Sequence, residues 1–86
     1  MPTISVFFGI IIRMFYRDHN PHHFHAEYQG QSATFDFDGK LLEGEIDSQT
    51  AKALIRKWAR LHKSELSRNW ENMRQRKEFT RIEPLK

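Results

Sequence analysis

Four of the five histidines in this chain lie between Asp18 and His25, in the run Asp-His-Asn-Pro-His-His-Phe-His. Imidazole titrates near neutral pH and is the commonest metal ligand, so the cluster points to acid–base or metal chemistry. On a strand running from His23 to Tyr28, His23 and His25 project to one face while Phe24 and Ala26 project to the other. His19 and His22, in the adjoining turn, can fold over the same surface. Two neighbouring imidazoles suit proton transfer on a phosphodiester, one as base and the other as acid. The same pair suits zinc, which neutral imidazole nitrogens bind at about 2.0–2.1 Å. Turn histidines also bond simply to backbone, and the run by itself does not choose among these.

A second set of polar residues lies in the C-terminal half. At helical spacing His62, Glu65 and Asn69 fall on the same stripe as Ala51, Leu54 and Trp58. A buried polar group costs roughly 1–3 kcal/mol unless it is bonded. Three in succession therefore imply a polar network or a cleft where helix meets sheet, and they are expected to face the histidine-bearing strand. His62 and Glu65, three apart, can bond directly, and Glu65 can orient an imidazole or raise its pKa. The opposite helix face carries Lys52, Arg56, Arg60, Lys63 and Arg74. Such a row can follow a phosphate backbone, although basic residues also solubilise exposed helices. Arg13 sits among apolar neighbours, where it can pair with Asp18 or Asp36 or hold an anionic ligand. Trp58 and Trp70 are read as core residues.

These groups need elements to hold them. Ile4–Phe8 and Ile10–Tyr16 are β-branched and aromatic, with Gly9 as a bend or bulge between them. In the second run Ile10, Ile12, Met14 and Tyr16 share one face, and Ile11, Arg13, Phe15 and Arg17 the other. Asp18-His-Asn-Pro is turn chemistry. Ala33, Phe35 and Phe37 alternate with Thr34, Asp36 and Asp38, as in a half-buried strand. Asp38-Gly39 then predicts a two-residue hairpin into Lys40–Leu42. From Ser48 the period becomes helical, with Asp47 or Ser48 as N-cap. No Gly or Pro interrupts Thr50–Glu78, which predicts one long helix bent near Lys63–Ser64. Thr80–Ile82 is expected to add a short edge strand. The fold class is thus α+β: a small antiparallel sheet of three to five strands packed against a long C-terminal helix. Ile10, Ile12, Phe24, Phe35 and Phe37 are expected to meet Leu54, Trp58, Leu61 and Leu66.

Eighty-six residues are enough for a single domain, strand-rich over 1–47 and helical over 48–78, with a short tail. The absence of cysteine excludes disulfides and thiolate metal sites. The apolar run Ile4–Ile12 is too short to span a bilayer, which takes about 20 residues. A soluble, cytoplasmic protein is the expectation. Net charge is +3 but uneven: residues 1–47 carry three basic side chains against seven acidic, and the rest eleven against four. That asymmetry suggests an anionic partner for the second half. No phosphate-cradling Gly-rich loop, Gly-x-Ser-x-Gly elbow or His-Glu-x-x-His helix occurs.

The N-terminal Met-Pro-Thr-Ile, then Gly9-Ile-Ile-Ile, then Asp18-His19-x-Pro21-x-His23-Phe24-His25-Ala26 resemble the small bacterial DUF4160 family. So does Trp58-x-x-Leu61-His62-x-x-Glu65-Leu66-x-x-Asn69-Trp70. Family members tend to have a second Pro where this chain has His22, which sets His22 apart from the shared positions. The resemblance implies that Asp18, His19, His23, His25, His62 and Glu65 are common to the family, without roles. It also implies a gene arrangement that looks like a toxin–antitoxin pair. The leading expectation is therefore an RNA-directed protein of that type, acting as a metal-independent ribonuclease. His23 and His25 would exchange protons with an RNA 2′-hydroxyl and the leaving oxygen, with Glu65 or Asp18 orienting them. Arg13 would neutralise phosphate charge, and the basic helix would position the substrate. One alternative is a zinc or nickel site using His19, His23 and His25 with His62 or Glu65. Another is a non-catalytic partner of a cognate small protein, or of a second copy of this chain.

Overall fold

A computed structural model describes residues 2–16 and 18–86. Arg17, expected beside Phe15 on the outward face, lies outside the described residues. The elements run β1 (Thr3–Phe7), β2 (Ile10–Arg13), β3 (Phe24–Tyr28), β4 (Gln31–Phe35), β5 (Leu41–Gly44), α1 (Gln49–Leu61) and α2 (Lys63–Arg74). This is an α+β arrangement with all five strands antiparallel and in sequence order across one sheet. Phe8-Gly9 and Gln29-Gly30 link their strands as two-residue turns with both φ angles positive, the mirror-image geometry that matches strand twist. The β4–β5 link differs from the expected two-residue Asp38-Gly39 turn. Asp36 N–H bonds Lys40 O and Gly39 N–H bonds Asp36 O, leaving a three-residue loop with Gly39 at φ 86°. The Asp36 carboxylate also accepts from Asp38 and Lys40 N–H, which stabilises the longer loop and lets Phe37 turn inward.

The alternation read from β2 and β3 is realised. Ile10, Ile12, Met14, Phe24 and Ala26 are buried against the helices. The expected strand Ile10–Tyr16 ends at Arg13, however, and Tyr16 is exposed instead of sharing the buried face. Phe24 stacks on Phe35 at 5.8 Å and meets the edge of Trp58 at 5.6 Å, while Phe7 lies 5.5 Å from the same indole.

In place of one long helix the chain forms two, separated at His62. Ser48 caps the first through Oγ, which accepts Ala51 N–H. At its end His62 N–H is shared between Trp58 O and Ala59 O, and His62 O then accepts Leu66 N–H to begin α2. The break has no Gly or Pro behind it. It lets two differently oriented apolar stripes, Ala51-Ile55-Trp58-Ala59 and Leu66-Trp70-Met73, both reach the core. Leu61 lies off the first stripe, and it is 63% exposed instead of packing inward as expected. The second helix stops at Arg74, before the expected Glu78. Arg76 adopts φ 60°, and its N–H and that of Lys77 return to Met73 O and Asn72 O, a Schellman ending.

The tail is not an assigned strand, yet it is tied down as one. Ile82 N–H donates to Ile4 O along the outer edge of β1, and Ile82 is buried. Trp58 Nε1–H donates to Glu83 O at 2.9 Å. Asn69, 1% exposed, donates from Nδ2 to Thr80 O and accepts Thr80 N–H on Oδ1, at 2.7 and 2.9 Å. A buried amide thereby replaces the strand partner that Thr80 lacks. Among the described residues no helix is long and apolar enough to cross a membrane.

Asn69→Leu keeps the volume but leaves both Thr80 groups unpaired. It is expected to cost about 1–3 kcal/mol in urea unfolding and to speed amide exchange at Thr80 and Ile82. Unchanged exchange at Ile82 would mean that the tail is held without Asn69.

Candidate functional site

The chain leaves β2, crosses the sheet end through the Asp18–Pro21 turn and enters β3 at Phe24. That path places Asp18 against the two histidines flanking Phe24. Asp18 Oδ2 lies 2.9 Å from His23 Nε2 and 3.0 Å from His25 Nε2, and the two rings are 5.0 Å apart. His19 stands beside them, its N–H bonded to Asp18 Oδ1 at 3.0 Å and its exposed ring 5.4 Å from that of His23. His23 and His25 thus come together as strand parity predicts, although His23 precedes the strand itself.

The tautomer of His23 follows from its partners. Its Nδ1 lies 2.7 Å from Pro21 O. A carbonyl only accepts, so Nδ1 carries a proton and Nε2 is what faces Asp18. Two arrangements suit that nitrogen: an imidazolium ion-paired with the Asp18 carboxylate, or a metal ion in place of the Nε2 proton. The ring is almost buried, packed edge-on to Trp70 at 5.3 Å, and Phe15 meets the His25 ring edge-on at 4.5 Å. Burial alone would raise the Asp18 pKa. The hydrogen bonds from His25 and from His19 N–H, with the charges of His23 and His25, outweigh it and hold the carboxyl below its ordinary value.

One ligand atom each from Asp18, His23 and His25 lie within 4.8 Å of one another. His23 and His25 border an open cavity of about 210 Å³ whose other walls include His19, Thr34, Leu42 and Glu43. His25 also faces the grooves on either side, so it stands centrally on the uncovered face of the sheet. Pro21 O, Phe15, Trp70 and the β5 wall were not legible as site parts. Only Pro21, by its place in the turn, carried any signal.

Other expected members lie elsewhere. His62 Nδ1 is 2.6 Å from Glu65 Oε1 at the helix junction, and its ring packs on Trp58 at 5.6 Å. With Asn69 committed to Thr80, the helical trio does not line the histidine cavity. Its polarity serves the helix break and the tail. Arg13, which faces His25 across the β2–β3 pair, donates to Glu27 at 2.7 Å, so neither Asp18 nor Asp36 is its partner. His22 is exposed and packs 4.9 Å from Trp70. Lys52, Arg56 and Arg60 share one groove on α1, whereas Lys63 pairs with Asp38 at 2.7 Å and Arg74 lies in the last turn of α2.

The chain matches the family described as Domain of unknown function (DUF4160) over residues 9–71. It belongs to the DUF4160 family. The matched span runs from β2 through most of α2, so it contains every cluster residue and the His62–Glu65 pair; β1 and the tail fall outside it. No curated protein and no solved structure matches this DUF4160 chain.

Since the folded Asp18 carboxyl titrates below the unfolded value of about 3.9, its stabilisation is full above that pH and is lost as pH falls through the folded value. In urea unfolding followed by tryptophan fluorescence, Asp18→Asn should therefore be less stable than the parent near pH 6, with the gap closing in acid. A gap that persists unchanged to the lowest pH would remove the carboxylate as its cause.

Proposed function

We propose that this DUF4160 domain is a metal-binding module whose centre is Asp18, His23 and His25, with zinc or nickel as the metal. The observation that carries the reading is their convergence, with His23 Nδ1–H bonded to Pro21 O and Nε2 turned to the other two. Metal-binding histidines characteristically donate their second ring N–H to a carbonyl or carboxylate, which fixes tautomer and orientation. With metal bonds near 2.0–2.1 Å, adjacent ligand atoms lie about 2.9–3.4 Å apart, and the Nε2–Oδ2 spacings of 2.9 and 3.0 Å fit. Asp18 replaces the third histidine of the sequence-based set, leaving His19 as an exposed neighbour. Three N/O ligands, two of them lining an open cavity, favour an exchangeable or catalytic metal over a closed structural one. Such a metal would polarise a bound oxygen or water.

Titration of untagged protein with zinc and with nickel should give about one bound ion per chain, abolished by His23→Ala/His25→Ala. Affinity should fall as pH is lowered, because ligation requires imidazole nitrogens free of their protons. A folded protein that binds neither metal would overturn the reading.

A second reading, an RNA-directed component of toxin–antitoxin type, is supported by the basic groove. Lys52, Arg56 and Arg60 gather there, and among the described residues none has a carboxylate within 4.0 Å. RNA cleavage that survives EDTA and disappears in folded His23→Ala would favour it over the metal centre. EDTA-sensitive cleavage would place the activity with the metal instead.

A further inference from the structure

The two edges of the sheet are treated differently. The outer edge of β1 is occupied by the chain's own tail, through Ile82 N–H to Ile4 O. The outer edge of β5 has no such cover among the described residues, and all four of its residues are exposed. Glu45 N–H points inward to Ser32 O, and Glu43 pairs with Thr34. By antiparallel alternation the N–H and C=O groups of Gly44 then turn outward. The register shifts between Thr34 and Phe35, which makes Leu42 the extra residue of a bulge. On its far side Lys40 O accepts Asp36 N–H, so the Leu41 N–H of that same peptide turns outward. Leu41 and Leu42 are 41% and 42% exposed. An exposed strand edge with apolar side chains and no proline is a template for another strand.

Beside this edge lies the basic groove, a cavity of about 430 Å³ between the β4–β5 loop and α1. Lys52, Arg56 and Arg60 recur every four residues along its helical wall, like-charge spacings that weaken an isolated helix. The carboxylates in the groove are already committed: Asp36 to the N–H groups of Asp38 and Lys40, and Asp38 to Lys63. Gly39 holds loop and helix together. A Cβ there would come 2.6 Å from Arg56 Cα, so the strand edge and the cation row are kept side by side.

We propose that the outer edge of β5, with Lys52, Arg56 and Arg60 alongside, docks an acidic extended segment of a partner protein as an added strand. The partner's backbone would pair with Leu41 and Gly44, on either side of the bulge, and its Asp or Glu side chains would meet the α1 cations. This is strand addition with charge selection. RNA would engage the cations but has no backbone ladder to offer β5. A second copy of this chain would bring a like-charged row against this one. Docking at β5 does not depend on the metal centre.

The test uses a fluorescein-labelled peptide of alternating Glu and Val, its Lys–Val counterpart, and a single-stranded RNA oligomer, each titrated into the full chain. The Glu–Val peptide should bind saturably and at least ~10-fold more tightly than Lys–Val, and it should slow amide exchange at Leu41 and Gly44. Lys52→Glu/Arg60→Glu should weaken it by at least ~10-fold. Leu41→Pro, which removes an outward N–H at an edge position, should weaken it comparably. If Leu41→Pro does not fold, the exchange protection and the charge-reversal variant decide the matter. Equal affinity for the Lys–Val peptide, or binding without protection at Leu41 and Gly44, overturns the proposal. So does RNA binding that the Glu–Val peptide cannot compete away, or a dimer through β5 that excludes the peptide.

Discussion

The fully buried indole of Trp58 is the contact on which the rest of this structure hangs. Its ring touches Phe7 of β1, Phe24 of β3 and His62 at the helix junction, and its Nε1–H reaches the tail carbonyl of Glu83. A chain this small buries a modest share of its surface, so one large aromatic serving four segments matters more than it would in a larger domain. Truncating such a residue costs on the order of 3–5 kcal/mol in a well-packed core. Here it would also free the tail, because the indole N–H is one of the bonds that hold it.

The core and the histidine cluster are two sides of one strand. Phe24 and Ala26 turn into the contacts around Trp58, and His25 turns out between them. Packing Phe24 between Phe35 and Trp58 therefore sets the angle at which His25 meets Asp18. Trp70 plays a related part from α2, closing over His23 while its own ring joins the buried apolar stripe. Three polar pairs within this framework hold the fold: Asn69 secures the tail, Glu65 fixes His62, and Glu27 neutralises Arg13. The chemical capacity that remains lies on the open face, at Asp18, His23 and His25, and on the cation row of α1. These two surfaces border different grooves, so ligand chemistry at one does not require occupation of the other.

Regular patterns in the chain translated well. Period-two alternation in Ile10–Met14 and in Phe24–Glu27 identified the buried and open faces, and Ser48 was readable as a helix cap. The His23–His25 pair and its neighbour Asp18 were readable for the same reason: side chains two apart on a strand share a face, and the turn residues lie within a few positions. Where sequence and structure part ways, the deciding partner is remote in the chain. Arg13 chose Glu27 because strand register put that carboxylate beside it, and Asn69 turned to Thr80 because the tail folds back along β1. The helix break at His62 and the outward turn of Leu61 arose because two apolar stripes had to meet one sheet.

By itself the sequence determined what local geometry controls: most of the strands and their faces, the first helix cap to within one residue, and a cluster of imidazoles next to a carboxylate. Periodicity and turn chemistry act over a few residues and need no knowledge of the rest of the chain. Only the tertiary structure decided which polar residues remain available for a ligand. That outcome depends on pairings across the sheet and with the tail, whose strength comes from burial and from exclusion of water. Spacing alone puts His62, Glu65 and Asn69 on one stripe with Trp58, yet packing committed them to the fold, and it left Asp18 against His23 and His25, with the two imidazoles lining a cavity.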